Sequence, residues 1–132
     1  MASYPDPGVY VLDYVPNATK DQIDERAVKF FRILRDAHPD VPVVFVEVPY
    51  FPTRAFDKGA DRVWSGKNEA QKRVFDTLKK AGEQNILYIV SEGMIGDDGE
   101  ATVDGLHFTD LGMMRYVDHV FPTIKKALSK NK

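Results

Sequence analysis

The chain has 132 residues, of which 43% are hydrophobic and 29% charged, and its 18 basic and 20 acidic side chains leave a net charge of −2. This size and composition predict a single globular domain. Apart from the C-terminal lysines there is no basic cluster, which argues against nucleic-acid binding. The absence of cysteine excludes disulfides, thiol catalysis and cysteine-ligated metal centres. No apolar run reaches the roughly 18 residues that a membrane span requires, and residues 1–8 lack a signal-peptide pattern, so the compartment is left open.

The first half of the chain predicts two strands joined by a helix. Residues 9–15 (VYVLDYV) are nearly continuous in apolar character and rich in β-branched and aromatic side chains, which is typical of a buried parallel strand. Thr19 and Gln22 have the spacing of a capping box, and apolar residues then recur at steps of three and four to about Ala37. This pattern predicts a helix, and residues 43–48 (VVFVEV) predict a second buried strand.

The second half repeats the alternation of helix and strand. Residues 49–59 contain prolines and a glycine and predict an irregular loop. A helix is predicted over residues 68–81, a strand over 86–90, and a last helix over about 109–128 that Pro122 should kink or split. The order β-α-β-α-β-α predicts an α/β fold, with right-handed crossovers and a parallel sheet covered by helices on both faces.

Candidate functional residues follow the strands, because open parallel sheets bind ligands beyond the carboxyl ends of their strands. Asp104 and His107 are three residues apart, so a carboxylate could hold one imidazole nitrogen and leave the other free as a general base. Alternatively, Asp104 caps the turn and His107 is a surface residue. Asn17 could donate a hydrogen bond to an oxyanion, or it could be a turn asparagine.

Further candidates follow the second and third strands. Arg54 and Tyr50 could contact a polar substrate, although Glu47 could equally form a structural ion pair with an arginine. No serine lies in a GxSxG elbow, and Ser91, directly after the third strand, is the serine best placed to stand in as a nucleophile. There is no phosphate-binding glycine loop and no metal-ligand spacing, so neither an organic cofactor nor a metal ion is predicted.

Two blocks of the sequence resemble a known family. Residues 9–17 (VYVLDYVPN) and 104–112 (DGLHFTDLG) are similar to the later blocks of the SGNH (GDSL-type) hydrolases. The resemblance implies that His107 is the catalytic base, Asp104 its carboxylate partner and Asn17 the oxyanion-hole asparagine. It implies hydrolysis of esters, often acetyl or other acyl groups on carbohydrates or lipids, without metal or organic cofactor. Phe108 stands where the family commonly has proline.

The resemblance also implies that part of the family fold is absent. The two blocks that carry the nucleophilic serine and an oxyanion glycine have no counterpart in residues 1–132. The family has a flavodoxin-like sheet with strand order 2-1-3-4-5, and the three predicted strands correspond to its third, fourth and fifth. We therefore expect a single partial domain, three-layered, that lacks the first two strands and is inactive alone.

The absence of those strands predicts a partner and leaves alternatives open. The strand edge between Val9 and Val15 is expected to pair with another copy of the chain or with a separately supplied N-terminal piece. One alternative function is a non-catalytic α/β module that binds a ligand through the same ends of the strands. Another is a self-sufficient hydrolase that uses Ser91.

Overall fold

A computed structural model of the protein describes residues 1–129, so Lys130 and Lys132 of the C-terminal lysines lie outside it. Three parallel strands form one sheet, in the order β1 (Tyr10–Leu12), β2 (Val43–Val46) and β3 (Ile86–Ile89). The three helices are α1 (Lys20–Ala37), α2 (Lys58–Lys80) and α3 (Asp110–Ser129). The predicted α/β fold with a parallel sheet and flanking helices is confirmed.

The sheet is covered on both faces, as the apolar strands predict. All four residues of the central strand β2 are buried. On one face Phe45 packs against Phe31 of α1 and Phe75 of α2, at ring-centroid distances of 6.0 and 5.9 Å. Helix α3 packs against β2 and β3 and supplies the third layer. The core therefore lies on either side of β2, whereas within residues 1–129 β1 and β3 each pair with a strand on one side only.

Helix α1 begins and ends where its sequence signals predict. The Thr19 hydroxyl accepts a 3.2 Å hydrogen bond from the Gln22 amide, and the Gln22 side chain accepts a 2.9 Å bond from the Thr19 amide. This capping box satisfies two amides that the first turn leaves unpaired. The helix stops at Ala37, where His38 leaves the helical conformation ahead of Pro39.

Helix α2 begins at Lys58 rather than near residue 68, so the prediction of an irregular loop up to residue 59 was wrong at its end. The Asp57 carboxylate accepts hydrogen bonds from the amides of Gly59 and Ala60, at 2.8 and 3.0 Å. These bonds cap the helix and let it start with a glycine in its first turn. Pro52–Ala55, just upstream, forms a 3₁₀ turn.

The strands are shorter than the apolar runs that predict them. After β1 the chain turns into a 3₁₀ turn over Val15–Asn17. After β2, the Asn68 side chain takes the place of a strand partner, accepting from the Val48 amide and donating to the Val48 carbonyl, both at 2.9 Å. A buried asparagine thus satisfies the backbone just beyond the end of β2.

Helix α3 runs without interruption through Pro122, so the predicted split does not occur. Proline removes one helical hydrogen bond, but Val120 and Ala127, on either side of it, are buried and hold both halves against the sheet. Among the described residues, no helix is both long and apolar enough to cross a membrane.

Candidate active site

A short hairpin ahead of α3 carries the Asp104–His107 pair. Its two arms are joined by an antiparallel bridge between Thr102 and Phe108 and by a 2.9 Å bond from the Val103 amide to the His107 carbonyl. Asp104 and His107 occupy the turn between these arms. The hairpin therefore presents the pair on a short, internally hydrogen-bonded support.

The carboxylate of Asp104 makes three hydrogen bonds in this turn, one to Leu106 and two to His107. One oxygen accepts from the backbone amides of Leu106 and His107, at 3.0 and 2.8 Å. The other lies 2.7 Å from Nδ1 of the His107 ring. These hydrogen bonds lower the pKa of Asp104 to about 2, the backbone amide of His107 contributing most. Asp104 is therefore ionised near neutral pH and orients the ring through Nδ1.

Nε2 of His107 faces away from this contact. The His107 side chain is 73% exposed, and none of the described residues forms a hydrogen bond with Nε2. An imidazole held at one nitrogen by a carboxylate and free at the other has the arrangement of a general base. The structure thus brings together the first two residues predicted for the site.

Two glycines allow the hairpin to approach its neighbours closely. Gly105 has a φ of +86°, and a β-carbon there would collide with the methyl group of Thr53. A β-carbon on Gly112 would collide with the carbonyl of Ala101, where the first turn of α3 crosses the hairpin. Both positions therefore require glycine for the turn and α3 to keep this geometry.

A cavity of about 300 Å³ lies between the hairpin, the turn after β1 and the segment after β2. His107 and Asn17 both line it, as do Asp13 and Tyr116. Its apolar lining consists of Pro16, Pro49, Phe51, Trp64, Leu106, Phe108 and Met113. We call it the His107 cavity. A few polar groups in a mostly apolar cavity are typical of a small-molecule site.

Aromatic rings build the apolar part of this cavity. Phe51 packs against Trp64 at 5.4 Å and against Phe108 at 6.4 Å, and Phe108 packs against Tyr116 at 5.5 Å between ring centroids. Phe108, which replaces the proline common in the resembling family, therefore joins the segment after β2 to α3. Its role in the cavity depends on contacts that no sequence pattern displays.

Asn17 ends the 3₁₀ turn that follows β1. Its side chain makes no hydrogen bond to any described residue, because Thr19 rather than Asn17 caps α1. Lys67 steadies this turn by donating a 3.0 Å bond to the Pro16 carbonyl, while its ammonium lies 4.4 Å from the centre of the Trp64 ring. Asn17 is thus available to donate into the same cavity that His107 lines.

Tyr116 is a cavity residue that the sequence analysis missed. Its hydroxyl donates a 2.6 Å hydrogen bond to the Asp13 carboxylate. Burial and this carboxylate raise the pKa of Tyr116 well above its usual range, so the hydroxyl stays protonated. The only signal in the sequence is position: Tyr116 lies on the same face of α3 as the buried Gly112 and Val120.

Arg54 and Tyr50 lie in a different cavity, of about 330 Å³, together with Ser65 and Ser91. The buried Arg54 guanidinium donates to Asp61 at 2.8 Å and to Ser65 at 2.6 Å, and stacks 4.4 Å from the centre of the Tyr50 ring. The acidic partner of this arginine is therefore Asp61. Substrate binding by Arg54 and Tyr50 stays a prediction, and it concerns a cavity separate from that of His107.

Glu47 and Ser91 form a hydrogen-bonded group at the ends of β2 and β3. The Glu47 carboxylate accepts from the Tyr88 hydroxyl and the Ser91 amide, both at 2.8 Å. Ser91 does not line the His107 cavity, and neither does any other serine within residues 1–129. Residues 1–129 contain no group of three or more His, Asp or Glu side chains placed to hold a metal ion.

Comparison with solved structures reveals a strong likeness. The chain is 33% identical, with a TM-score of 0.91, to a structure described as a GDSL-like lipase from Bacteroides ovatus ATCC 8483. The match covers 97% of this chain and 38% of that one, so the chain spans well under half of that protein. No curated protein matches the sequence.

Two more distant structures share the fold. A salicylyl-acyltransferase from a tetracycline biosynthetic pathway is 17% identical with a TM-score of 0.71, over 95% of this chain and 39% of its own. A peptidoglycan O-acetylesterase is 16% identical with a TM-score of 0.60, over 93% of this chain and 38% of its own. At these identities the likeness concerns the fold alone.

A family model describes the sequence itself. The model of the GDSL-like lipase/acylhydrolase family matches residues 1–125, which include both blocks that resemble it. The sequence resemblance is therefore confirmed over almost the entire chain, and the protein belongs to the GDSL-like lipase/acylhydrolase family.

Proposed function

We propose that the chain supplies the base and an oxyanion donor for ester hydrolysis. The observation that carries this proposal is the contact between Asp104 and His107, with Nδ1 held at 2.7 Å and Nε2 open toward the solvent. Membership of the GDSL-like lipase/acylhydrolase family supports hydrolase chemistry in general. The geometry fits that chemistry, because such a base takes a proton from a nucleophile and returns it to a leaving alcohol.

Each residue has a distinct role in this proposal. Nε2 of His107 accepts the proton of the attacking hydroxyl, and Asp104 stabilises the imidazolium that forms. The Asn17 amide donates to the oxyanion of the tetrahedral intermediate from the other side of the His107 cavity. The substrates are acyl or acetyl esters of carbohydrates or lipids, with the apolar lining of the cavity contacting the substrate.

The nucleophile in this proposal is a serine outside the chain. No serine within residues 1–129 lines the His107 cavity. Ser91, the serine best placed in the sequence to act as a nucleophile, lines the cavity of Arg54 and Tyr50 instead, and its backbone amide donates a hydrogen bond to Glu47. We therefore expect the 132-residue chain alone to be nearly inactive. Loss of a catalytic serine typically lowers kcat by about 10⁶-fold.

A fluorophosphonate probe tests whether the chain contains an activated serine. The intact mass of the treated chain should show no adduct. A stoichiometric adduct that disappears in Ser91→Ala would instead identify Ser91 as a nucleophile and would overturn the proposal of an external serine.

Hydrolysis of p-nitrophenyl acetate then tests the base, in a longer protein that joins this chain to a serine-bearing segment. His107→Ala should lower kcat roughly 10³-fold or more, and Asn17→Ala about 10²-fold. His119→Ala is the matched control, because His119 contacts the Val90 carbonyl and does not line the His107 cavity. Ligand binding that survives Asp104→Asn and His107→Ala, without any hydrolysis, would favour the non-catalytic binding module.

A further inference from the structure

A further cavity, of about 670 Å³, lies where helices α1 and α2 begin. Thr19, which caps α1, and Lys20 form one wall, and the first turns of α2 form the other. The charged side chains that line it are Lys20, Arg62 and Lys67, all of them basic, and no carboxylate of the described residues lines it. We call it the basic cavity. It shares no lining residue with the His107 cavity.

Arg62 brings an unneutralised positive charge to this cavity. Its guanidinium forms no hydrogen bond or ion pair with any residue that the structure describes. The acidic residues close to it in sequence are already engaged. Asp57 accepts from two backbone amides of the first turn of α2, and Asp61 binds Arg54 at 2.8 Å. The guanidinium of Arg62 is therefore available to a ligand.

Lys67 brings a second positive charge, and this one is half-buried. Its ammonium donates to the Pro16 carbonyl at 3.0 Å and lies 4.4 Å from the centre of the Trp64 ring. No carboxylate of the described residues binds it, and burial lowers the pKa of Lys67. Because a partly buried charge in proteins is normally paired, an anion in the basic cavity would supply the missing partner.

Lys20 adds less charge, because it already has an acidic partner. Its ammonium donates to Asp24 at 2.7 Å, and the same carboxylate accepts from Arg73 at 3.0 Å. One carboxylate thus serves two cations. Arg62 and Lys67 leave two positive charges unneutralised in one cavity, although the chain as a whole carries a net charge of −2.

Size and charge together indicate the class of ligand. The volume falls within the roughly 300–1,000 Å³ that is typical of sites for small organic molecules. Two unneutralised cations match a group with two negative charges, and a phosphate monoester carries about −1.5 to −2 at neutral pH. A carboxylate, a sulfate ester or a nucleic-acid phosphodiester carries only one. The Thr19 hydroxyl accepts from the Gln22 amide, so its hydrogen is free to donate to a phosphate oxygen.

We propose that the basic cavity binds the phosphate group of a soluble organic phosphate monoester. Arg62 and Lys67 neutralise its two charges, and Thr19 donates to one of its oxygens. Because Lys67 also holds the Pro16 carbonyl, the phosphate lies beside the turn that carries Asn17 without entering the His107 cavity. The proposal concerns binding, and it does not depend on the chemistry proposed for ester hydrolysis.

Two probes of the same shape test the charge requirement. Methyl phosphate and methyl sulfate are titrated separately into the 132-residue chain at pH 7 and low salt, and binding is followed by the backbone amide shifts in NMR spectra. Methyl phosphate should shift the amides of Thr19, Gly59 and Gly66, which line the basic cavity, in a saturable way. Methyl sulfate, with one charge fewer, should bind about tenfold more weakly. Equal binding of the two probes would overturn the assignment of a phosphate monoester.

Two arginines supply matched variants. Arg62 and Arg26 are both exposed and have no ionic partner among the described residues, but Arg26 lines another cavity, beside Phe30. Arg62→Gln should weaken methyl phosphate binding about tenfold, because it removes a charged donor, and Arg26→Gln should change it less than about twofold. Equal weakening by both variants would show a general effect of charge and would contradict the proposal.

Lys67 provides an independent readout. A bound dianion stabilises its charged form, so the pKa of Lys67, measured by NMR of the ammonium group, should rise by about one unit or more when methyl phosphate binds. Lys67→Gln should weaken binding and Lys67→Arg should retain most of it, with circular dichroism to verify the fold of each variant. An unchanged pKa of Lys67 in the saturated chain would contradict the proposal.

The titration also has outcomes that exclude a soluble ligand. Absence of a saturable shift up to about 10 mM methyl phosphate would overturn the proposal. So would binding of the chain to phosphatidylcholine vesicles that contain phosphatidic acid, if methyl phosphate did not bind, because the phosphate would then be recognised only at a lipid surface.

Discussion

The hydroxyl of Tyr116 donates a 2.6 Å hydrogen bond to Asp13, 103 residues earlier in the chain. This bond ties the end of β1 to helix α3, which begins just after the hairpin that carries His107. Both residues line the His107 cavity. The relative position of the two halves of the site, Asn17 on one side and His107 on the other, therefore depends on a contact between residues far apart in sequence.

Tyr116→Phe should lower the free energy of unfolding by about 1 kcal/mol, because it removes a hydrogen bond to a carboxylate and leaves the packing of the ring intact. Urea denaturation measures this change. Tyr4→Phe is the control, since Tyr4 is 69% exposed and its hydroxyl forms no hydrogen bond with any described residue. If Tyr116→Phe causes no further loss in a chain that already carries Asp13→Ala, which removes the acceptor, the loss comes from this bond; additive effects would contradict the assignment.

Stability should decrease above about pH 10. Burial raises the pKa of Tyr14 to about 12 and also raises the pKa values of Tyr88 and Tyr116. In the unfolded chain these hydroxyls titrate near 10, so between these values the folded protein holds more protons than the unfolded one. Their contribution is complete below about pH 10 and is lost as the pH rises further. Urea unfolding at several pH values measures the slope.

A shallower slope in Tyr116→Phe would identify one of the three hydroxyls as a source of this alkaline loss. Tyrosinate absorbance provides the second readout, since Tyr14 should ionise only near pH 12 in the folded protein. A free energy of unfolding that is constant from about pH 8 to well above 10 would contradict the prediction.

The Asp104 carboxyl should titrate with a midpoint near 2 in a carbon-detected NMR experiment, below its ordinary 3.8. Its contribution to stability is present above the ordinary value and is lost as the pH falls toward 2. His107→Ala should raise the midpoint only part of the way, because the largest cause is the backbone amide of residue 107, which alanine retains.

Gly105→Ala should raise the Asp104 midpoint further than His107→Ala does. A β-carbon at residue 105 collides with Thr53, and the φ of +86° is strained for alanine, so the turn that directs both amides at Asp104 should distort. Complete return to the ordinary value in His107→Ala would show that the ring, rather than the backbone, controls the titration.

Gly112→Ala should destabilise the protein by about 2 kcal/mol, because the new β-carbon meets the rigid backbone of Ala101. Gly66 is the matched control within α2, where a β-carbon would lie 3.8 Å from a flexible carbon of Lys20. Gly66→Ala should stabilise by about 0.5 to 1 kcal/mol, since alanine has the higher helix propensity. Thermal and urea unfolding measure both, and equal losses at the two positions would contradict the steric argument.

Local signals in the sequence predict much of the fold because they act over a few residues. The Thr19–Gln22 capping box forms as its spacing requires, and the apolar runs become the three parallel strands. The start of α2 was missed because Asp57 caps a helix whose first turn has the composition of a loop. By themselves, the prolines and glycine of residues 49–59 predict irregular structure. The hydrogen bonds from the Gly59 and Ala60 amides to Asp57 nevertheless allow a helix to begin at Lys58.

In the candidate site, too, local features could be predicted from the sequence and long-range contacts could not. Asp104 and His107 are close in sequence, so their spacing alone predicts that a carboxylate and an imidazole can meet in one turn. The placement of Arg54 and Tyr50 in a separate cavity depends on contacts with Asp61 and Ser65 from the first turns of α2. No short motif displays such contacts.

The sequence by itself determined the order of elements, the parallel α/β class and the family resemblance, and it predicted the three residues of the proposed catalytic group. Only the tertiary structure decided that Tyr116 binds Asp13, that Phe108 joins two sides of the cavity, and that Arg54 and Tyr50 lie in a cavity separate from that of His107. The physical reason is the distance along the chain between the residues that interact. Helix caps, strand patterns and tight turns are set by neighbours in sequence, whereas cavities and interaction surfaces arise where distant segments pack.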